Sequence, residues 1–328
     1  MNYEISFIIP VFNKKPLQLR HCIDSILQIK NKKFEIVIID DGSISQNSKE
    51  YREIAKIAPN IKYFFEKNKG VSQARNTGLK QSSGKYVFFA DADDEVIIAP
   101  LNKVNIRSEK NELIIFDVEK IDVHTHSITR YNLDKNKSIS KDILQIQILK
   151  DGLLNWVYAK LYLRKWLIQN SIIFDVSRKI GEDLDFVSKV IERATKIEYI
   201  NQVVYRYLFS SDTGLDRILR FPEENIKDIY LIYKLRGNII NQLIPYDLNN
   251  YEVLLKEKAV DGLFAIYKNL AIRDYKKARA CYSVLNRYLN LLGNAKKASL
   301  KNRIKILIIK KKIFIIFFYM VGLFINFK

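Results

Sequence analysis

Gly84-Lys85-Tyr86-Val87-Phe88-Phe89-Ala90-Asp91-Ala92-Asp93-Asp94 passes from an unbroken apolar run straight into a cluster of carboxylates. Tyr86 to Ala90 is short, rich in aromatic residues and preceded by a glycine, the pattern of a strand covered by helices on both faces. Asp91 and Asp93 follow two residues apart, and in extended backbone their side chains point to the same side. Two hard oxygen donors so placed suit a magnesium- or manganese-type ion, which completes its shell with waters and substrate phosphates. Taken alone, D-x-D-D is more often a solvated turn or a helix N-cap, so its meaning rests on what surrounds it.

Working outward, Ile5–Val11, Phe34–Ile39 and Ile61–Phe65 are further strand candidates. The stretches near 17–28, 48–57 and 71–81 have helical spacing. Strand and helix in alternation predict a mostly parallel, doubly wound α/β sheet whose ligands bind outside the carboxyl ends of the strands. Each predicted strand ends in polar residues: Asn13, then Asp40-Asp41-Gly42-Ser43, then Asn68 and Gly70, then Asp91 to Asp94. One rim would collect them all.

A chain of 328 residues with 48% hydrophobic and 12% aromatic residues has the material for a real core and the length of about two domains. Cys22 and Cys281 stand far apart and form neither a disulfide framework nor a metal spacing, which fits a reducing compartment. Only three histidines are present. His124 and His126 lie in a polar connection between two further strand candidates, 112–121 and 127–133, where a solvent-facing loop is the expectation. Met1 leads almost at once into strand-like residues, so no secretory signal is expected and a cytoplasmic location is. The net charge of +19 is unevenly spread, because residues 275–328 hold thirteen Lys or Arg and no acidic residue. That charge sits beside a greasy segment rather than among glycines and spaced aromatics, which argues against nucleic acid as the partner.

Four motifs occur in order across the first half: Ile8-Ile9-Pro10-Val11-Phe12-Asn13, Ile39-Asp40-Asp41-Gly42-Ser43, Gly70-Val71-Ser72-Gln73-Ala74-Arg75-Asn76 and Asp91-Ala92-Asp93-Asp94. In them the chain resembles the family 2 glycosyltransferases with the GT-A fold, a Rossmann-like architecture. The resemblance implies a nucleotide-sugar-binding half over residues 1–100 and an acceptor-binding half over 101–212; apolar spacing beyond them predicts a helical region over 213–295. The resemblance also implies roles. Pro10 and Phe12 would border the base, with Asn13 in the same loop. Asp41 would accept from the imide N–H of uracil, a donor that cytosine lacks. Arg75 would reach the nucleotide, Asp91 with Ala92 would lie near the ribose, and Asp93 would hold the Mn or Mg. Outside that company, Asp40 to Ser43 is equally a turn before a helix, and Arg75 a surface ion pair.

A second constellation resembles the acceptor half of the same family: Trp156, Lys160-Leu161-Tyr162 and Arg164, then Phe174, then Gly181-Glu182-Asp183-Leu184-Asp185-Phe186. Ala159 stands where relatives often carry Asn. The resemblance makes Asp183 the general base, with Glu182, Trp156 and Lys160 binding or supporting the acceptor. A sugar hydroxyl that attacks an anomeric carbon loses its proton as the bond forms, so the chemistry needs such a group. Glu182 and Asp183 also suit a helix N-cap, and the two uses are compatible. Tyr205-Arg206-Tyr207 with Ser210 and Ser211 resembles the family's exit segment. Arg206 is there either a diphosphate contact or a hydrated edge-strand arginine. Arg164-Lys165-Trp166 lacks the Gln of the Q-x-x-R-W motif of processive relatives, so one sugar per encounter is expected.

Helices are predicted from Pro222 and over 251–270 and 275–292, for bracing or for subunit contacts in a homo-oligomer. The tail, 296–328, joins a run of Lys and Arg to the apolar stretch Ile313 to Phe327. As a helix, those 15 residues extend roughly 22 Å, short of the ~30 Å of hydrocarbon in a bilayer. Such a helix is expected to lie in the anionic inner face of the cell membrane, or else to pack on protein. The reading as a whole is an inverting, metal-dependent, non-processive transferase moving a sugar from a UDP-sugar to a lipid-linked glycan acceptor. A catalytically degenerate scaffold and a sugar nucleotidyltransferase are the alternatives, the latter expecting a glycine-rich loop where Phe12-Asn13-Lys14-Lys15-Pro16 has none.

Overall fold

The computed structural model describes residues 3–105, 110–133, 141–148, 152–178, 180–210, 219–243, 248–293 and 299–311. Two compact units divide at Phe209 and Ser210.

In the first unit, strand β1 (Ile5–Val11) is buried along its whole length and lies between β2 (Phe34–Asp41) and β4 (Tyr86–Phe89), with β3 (Ile61–Glu66) outside β2. All three pairings are parallel. Helices α1 (Pro16–Leu27), α2 (Ser45–Ala55) and α3 (Val71–Gln81) make the crossovers. The apolar faces decide this arrangement: Leu19, Cys22, Ile23 and Ile26 of α1 are all buried, at helical spacing. Helix α3 lies very close to the sheet. A Cβ on Gly78 would come 2.3 Å from Ile8 Cγ2, so only glycine fits there.

Pro10 sits inside a central strand, where a missing N–H would ordinarily cost a ladder bond. Ile8 accepts from the amide of Ala90, which turns that edge of β1 toward β4. Two residues on, Pro10 faces the same way, but β4 has ended at Phe89 and the chain has turned off into Asp91 to Asp94. The proline therefore marks where the sheet opens into a rim.

Beyond β4 the order continues through β8 (Lys160–Leu163), β6 (Leu113–Asp122), β9 (Ile197–Phe209) and β5 (Glu95–Val96), with β7 (Ile128–Tyr131) paired to β6. β8 is antiparallel to both neighbours, whereas β9 runs parallel to β6 with a register shift between Phe116 and Val118. The longest ladders are parallel, as the alternation predicts. His124 and His126 are exposed in the β6–β7 turn, where the Asp122 carboxylate accepts from the amides of His124 and Thr125. Helix α4 (Ile98–Lys103) follows β5, α5 (Lys141–Ile148) precedes the Trp156 segment, and α6 (Arg164–Gln169) follows β8. Helix α7 (Glu182–Arg193) starts from Gly181, which holds a left-handed φ of 70°. It buries Leu184, Phe186, Val187, Val190 and Ile191.

The second unit is helical over its described residues: α8 (Pro222–Leu243), α9 (Leu248–Arg273), α10 (Tyr275–Ala280), α11 (Tyr282–Leu291) and α12 (Leu300–Lys310). The single helix expected over 275–292 is two, separated at Cys281. Ile226, Leu263, Tyr267, Leu285 and Ile309 share its core. Leu300, Ile304 and Leu307 of α12 face outward and are about half exposed or more, beside Lys301 and Arg303. No helix among the described residues is long and apolar enough to cross a membrane. The tail expectation for Ile313 to Phe327 lies outside the described residues, as does Ser211.

Candidate active site

A cavity of about 490 Å³ opens at the carboxyl ends of β1, β2 and β4. Pro10, Val11, Phe12, Lys14, Asp41, Asn68, Gly70, Val71, Asp91, Ala92 and Asp93 line it. All four polar strand ends are thus represented on one rim or immediately beneath it.

The two aspartates of the D-D-G-S motif divide their work. Asp40 is wholly buried and accepts from the Ser43 amide at 2.9 Å, Ser48 Oγ at 2.6 Å and Tyr63 OH at 2.7 Å, so it builds the turn. Asp41 faces the cavity and accepts from the amides of Lys69 and Gly70 at 2.7 and 2.8 Å. One lone pair on each of its oxygens remains for a ligand. Gly70 holds a φ of 91° at the start of α3, which lets the backbone make this approach. Asn13 does not line the cavity but ties the first rim loop to the second. Its amide donates to Ser43 Oγ, and its side-chain oxygen accepts from the Ile44 amide.

The carboxylates after β4 also diverge. Asp94 turns inward, where its oxygens accept from Tyr205 OH at 2.7 Å and the Leu208 amide at 2.9 Å. Tyr205 OH in turn accepts from the Asp91 amide at 2.9 Å, so a β9 tyrosine pins both ends of the acidic turn. Burial pushes the Asp94 carboxyl well up, with Asp91 adding to the effect. Asp93 points to the cavity and is paired with Lys14 Nζ at 2.5 Å.

Arg75 joins the two halves of the site. It is 3% exposed, and its guanidinium lies 5.4 Å from the centre of the Phe174 ring. Nη2 donates to Asp91 at 3.1 Å, while Nη1 donates to Asp183 at 2.6 Å and lies 3.6 Å from Glu182. Burial works against its charge, and Asp183, Asp91 and Glu182 more than offset it, so the group stays cationic. Asp91 is pushed up by burial and pulled back by Arg75. Burial and the neighbouring Asp183 lift Glu182 to about 7. Asn76, next to Arg75, exchanges two hydrogen bonds with the backbone of Phe174, both 2.9 Å. Phe174 stacks on Phe186 of α7 at 4.1 Å, so the base of this helix is fixed relative to α3.

Asp183 is not among the residues lining the cavity. It reaches the acidic rim through Arg75, and its second oxygen accepts from the Val157 amide at 3.2 Å. Lys160 sits beneath that loop, wholly buried. Its ammonium donates to the carbonyls of Leu153, Trp156 and Tyr158. Burial pulls its pKa down to about 7, against the opposing field of Asp183. Lys160 therefore shapes the loop and does not reach a ligand itself. Ala159 has a left-handed φ of 55°, a conformation that Asn adopts more readily than alanine. Trp156 is half-buried and stacks on Tyr158, which stacks on Tyr205. Arg206 does not line the cavity, and β9 is not an edge strand at this point. Arg206 lies between Glu95 of β5 and Glu119 of β6, and its guanidinium pairs with both carboxylates at 3.1 Å, so the edge-strand expectation is corrected to a cross-strand ion pair. Sequence reasoning missed Lys14, the Val157 amide and the hydroxyl of Tyr205. Lys14, directly after Asn13 in the first rim loop, and Tyr205, in the exit-segment motif, left a signal, but neither pattern shows what the side chain holds.

The donor set suits a hard divalent ion. Among the described residues no three acidic, His or Cys side chains converge on one point. Of the lining carboxylates, Asp41 is held by two backbone amides and Asp91 by Arg75, whereas Asp93 has, among those residues, only the Lys14 ammonium as its partner. Magnesium- and manganese-type ions use just such a site, one or two carboxylates with the rest of the shell from water and substrate phosphate.

Residues 6–170 match the family model "Glycosyl transferase family 2". The chain is 27% identical over 210 residues to the uncharacterized glycosyltransferase EpsJ of Bacillus subtilis, covering 62% of this chain and 60% of that protein. It is 32% identical over 216 residues to the minor teichoic acid biosynthesis protein GgaB of the same organism, covering 64% of this chain and 23% of GgaB. The chain thus spans less than two thirds of the length of these relatives. Among solved structures, Staphylococcus aureus TarS 1-349 in complex with UDP-GlcNAc superposes with a TM-score of 0.56 at 16% identity, covering 90% of this chain and 91% of that one. That likeness shows the fold, the GT-A architecture that the motifs led us to expect. With four motifs on one rim and a family match over half its length, the chain belongs to glycosyl transferase family 2.

Proposed function

We propose that the protein is an inverting, non-processive glycosyltransferase that moves a sugar from a UDP donor to a hydroxyl of a lipid-linked surface glycan. The observation that carries this reading is the single guanidinium, Arg75, that holds Asp91 of the donor rim and Asp183 of the acceptor half together. Pro10 and Phe12 border the base, and Asp41 uses its remaining lone pairs on the uracil imide. Asp91, with Ala92, faces the ribose. Asp93 would hold a Mg or Mn ion, which stabilises negative charge on the departing diphosphate. TarS crystallised with UDP-GlcNAc supports a UDP-type donor.

Asp183 takes the proton from the acceptor hydroxyl as its oxygen bonds to the anomeric carbon. The bond from that carbon to the diphosphate oxygen breaks on the opposite face, so an α-linked donor gives a β-linked product and UDP leaves. Arg75 and the Val157 amide fix the carboxylate but occupy only one lone pair on each oxygen, so a basic site remains. Trp156 and Lys160 shape the acceptor side, and Glu182 sits beside the base. Arg164 donates to Ser82 Oγ, a structural role that fits the absence of a processive Q-x-x-R-W motif. The outward Leu300, Ile304 and Leu307 of α12, flanked by lysine and arginine, support association with an anionic membrane face. GgaB, a minor teichoic acid biosynthesis protein, supports a surface-polymer acceptor.

The test is a screen of UDP-sugars for UDP release with Mn or Mg, in the presence and absence of lipid-linked acceptors. Metal-dependent release that an acceptor accelerates is expected. A protein that binds UDP yet never releases it from any UDP-sugar would favour the scaffold instead.

A further inference from the structure

We propose that Lys14 is the protein's own cation for the donor diphosphate, and that it is stored on Asp93 until a divalent ion takes that carboxylate. The inference rests on the UDP-donor reading above and adds a residue and an exchange to it. Among the residues lining the cavity, Asp41, Asp91 and Asp93 are acidic and Lys14 is the cation. A diphosphate entering this space meets three carboxylates. The other candidate cations are committed: Arg75 is buried on Asp91, Asp183 and Glu182, and Arg206 is paired with Glu95 and Glu119 away from the cavity lining.

Lys14 is placed by its backbone. Its carbonyl accepts from the hydroxyl of the wholly buried Tyr51 at 2.5 Å. The preceding Asn13 is tied to Ser43 and Ile44, and Pro16 begins α1 two residues later. The main chain is therefore held on both sides, and the flexible side chain is left to choose its partner within the cavity. Its ammonium lies 2.5 Å from Asp93 Oδ2, with side-chain exposures of 43% and 26%. Partly exposed pairs of this kind contribute little to stability, so exchanging Asp93 for a phosphate oxygen costs little. Both bonds join charged groups, but a diphosphate carries more negative charge than one carboxylate, and a divalent ion on Asp93 would repel the ammonium, so the exchange runs toward the phosphate.

The exchange has two consequences of opposite sign. Without nucleotide, Lys14 competes with a divalent ion for Asp93. With nucleotide, it adds to affinity through the phosphates alone. Calorimetric titration of the full chain and of Lys14→Met with UDP plus Mn, with uridine, and with Mn alone reads both. Loss of one charge-assisted bond predicts UDP binding about ten- to a hundredfold weaker in Lys14→Met. Uridine binding should be unchanged and Mn binding to the nucleotide-free protein severalfold tighter, while Lys14→Arg retains most of the UDP affinity. The proposal is overturned if UDP and uridine weaken in the same proportion, if UDP affinity is unchanged, or if Mn binds the Met variant no more tightly. Failure of the unaltered protein to bind UDP with Mn would overturn the UDP-donor reading along with it. Binding by the unaltered protein, undiminished in Lys14→Met, overturns the role of Lys14 alone.

Discussion

Arg75 donates to Asp183 at 2.6 Å across 108 positions of sequence, and so locks the start of α7 to a helix of the donor half. Asp91 occupies the other arm of the same guanidinium. Removing the cation would leave two or three carboxyl groups crowded together out of water. Arg75→Met is therefore expected to destabilise the protein by about 3–5 kcal/mol, as buried pairs do when one partner is lost. Urea unfolding measures this. Lys cannot serve two carboxylates from one planar fork, so Arg75→Lys should recover only part of the loss.

Tyr205 is expected to matter for donor binding although it does not line the cavity. Its hydroxyl donates to Asp94 and accepts from the Asp91 amide, so Tyr205→Phe leaves both buried groups short of a partner. A loss of about 1–3 kcal/mol in unfolding free energy is predicted. UDP affinity measured by calorimetry should fall as well, because the turn bearing Asp93 loses its anchor.

How far the sequence reached is clear from β1 and α3, whose boundaries at Ile5–Val11 and Val71–Gln81 were legible from the apolar run and the helical spacing. The rim was legible too, since polar residues after parallel strands must gather at one edge. β8 was not recognised as a strand. Lys160 to Leu163 is a four-residue piece that lies antiparallel between β4 and β6, and only tertiary contacts make it a strand. Nor could spacing reveal that Arg75 shares itself between Asp91 and Asp183, or that Arg206 is taken by Glu95 and Glu119. Such choices depend on which charges the fold brings within a few ångströms, and local pattern carries no record of them. Helix α10 ends at Cys281 although no glycine or proline marks the place.

Glu182 should make stability depend on pH. Burial and Asp183 lift its pKa from an ordinary 4.5 to about 7, so between those values the native chain keeps a proton that the unfolded chain has lost. Native proton excess means that stability falls as pH rises through this window, and this contribution is whole only below the unfolded value. Glu182→Gln removes this residue's share of the slope and leaves that of Asp94 and Asp91. Urea unfolding at about pH 4.5, 6 and 8 should show the variant gaining on the parent at each step, and parallel curves would refute the assignment.

The outer face of α12 offers a test of membrane association that spares the core. Leu300, Ile304 and Leu307 are exposed, so Ile304→Glu with Leu307→Glu should leave thermal unfolding within about 0.5 kcal/mol of the parent. Flotation with phosphatidylglycerol-containing vesicles should fall severalfold, and added salt should weaken what remains. Unchanged flotation would count against this surface.

Asp183→Asn tests the central claim most directly, because the amide keeps the shape of the carboxylate and can still accept from the Val157 amide while losing its basicity. UDP release from the preferred UDP-sugar with acceptor should drop on the order of a hundredfold or more, the range lost with a general base. UDP affinity on the same preparation should stay within about twofold, since Asp183 lies outside the donor cavity. Turnover at the parent rate in Asp183→Asn would contradict the account.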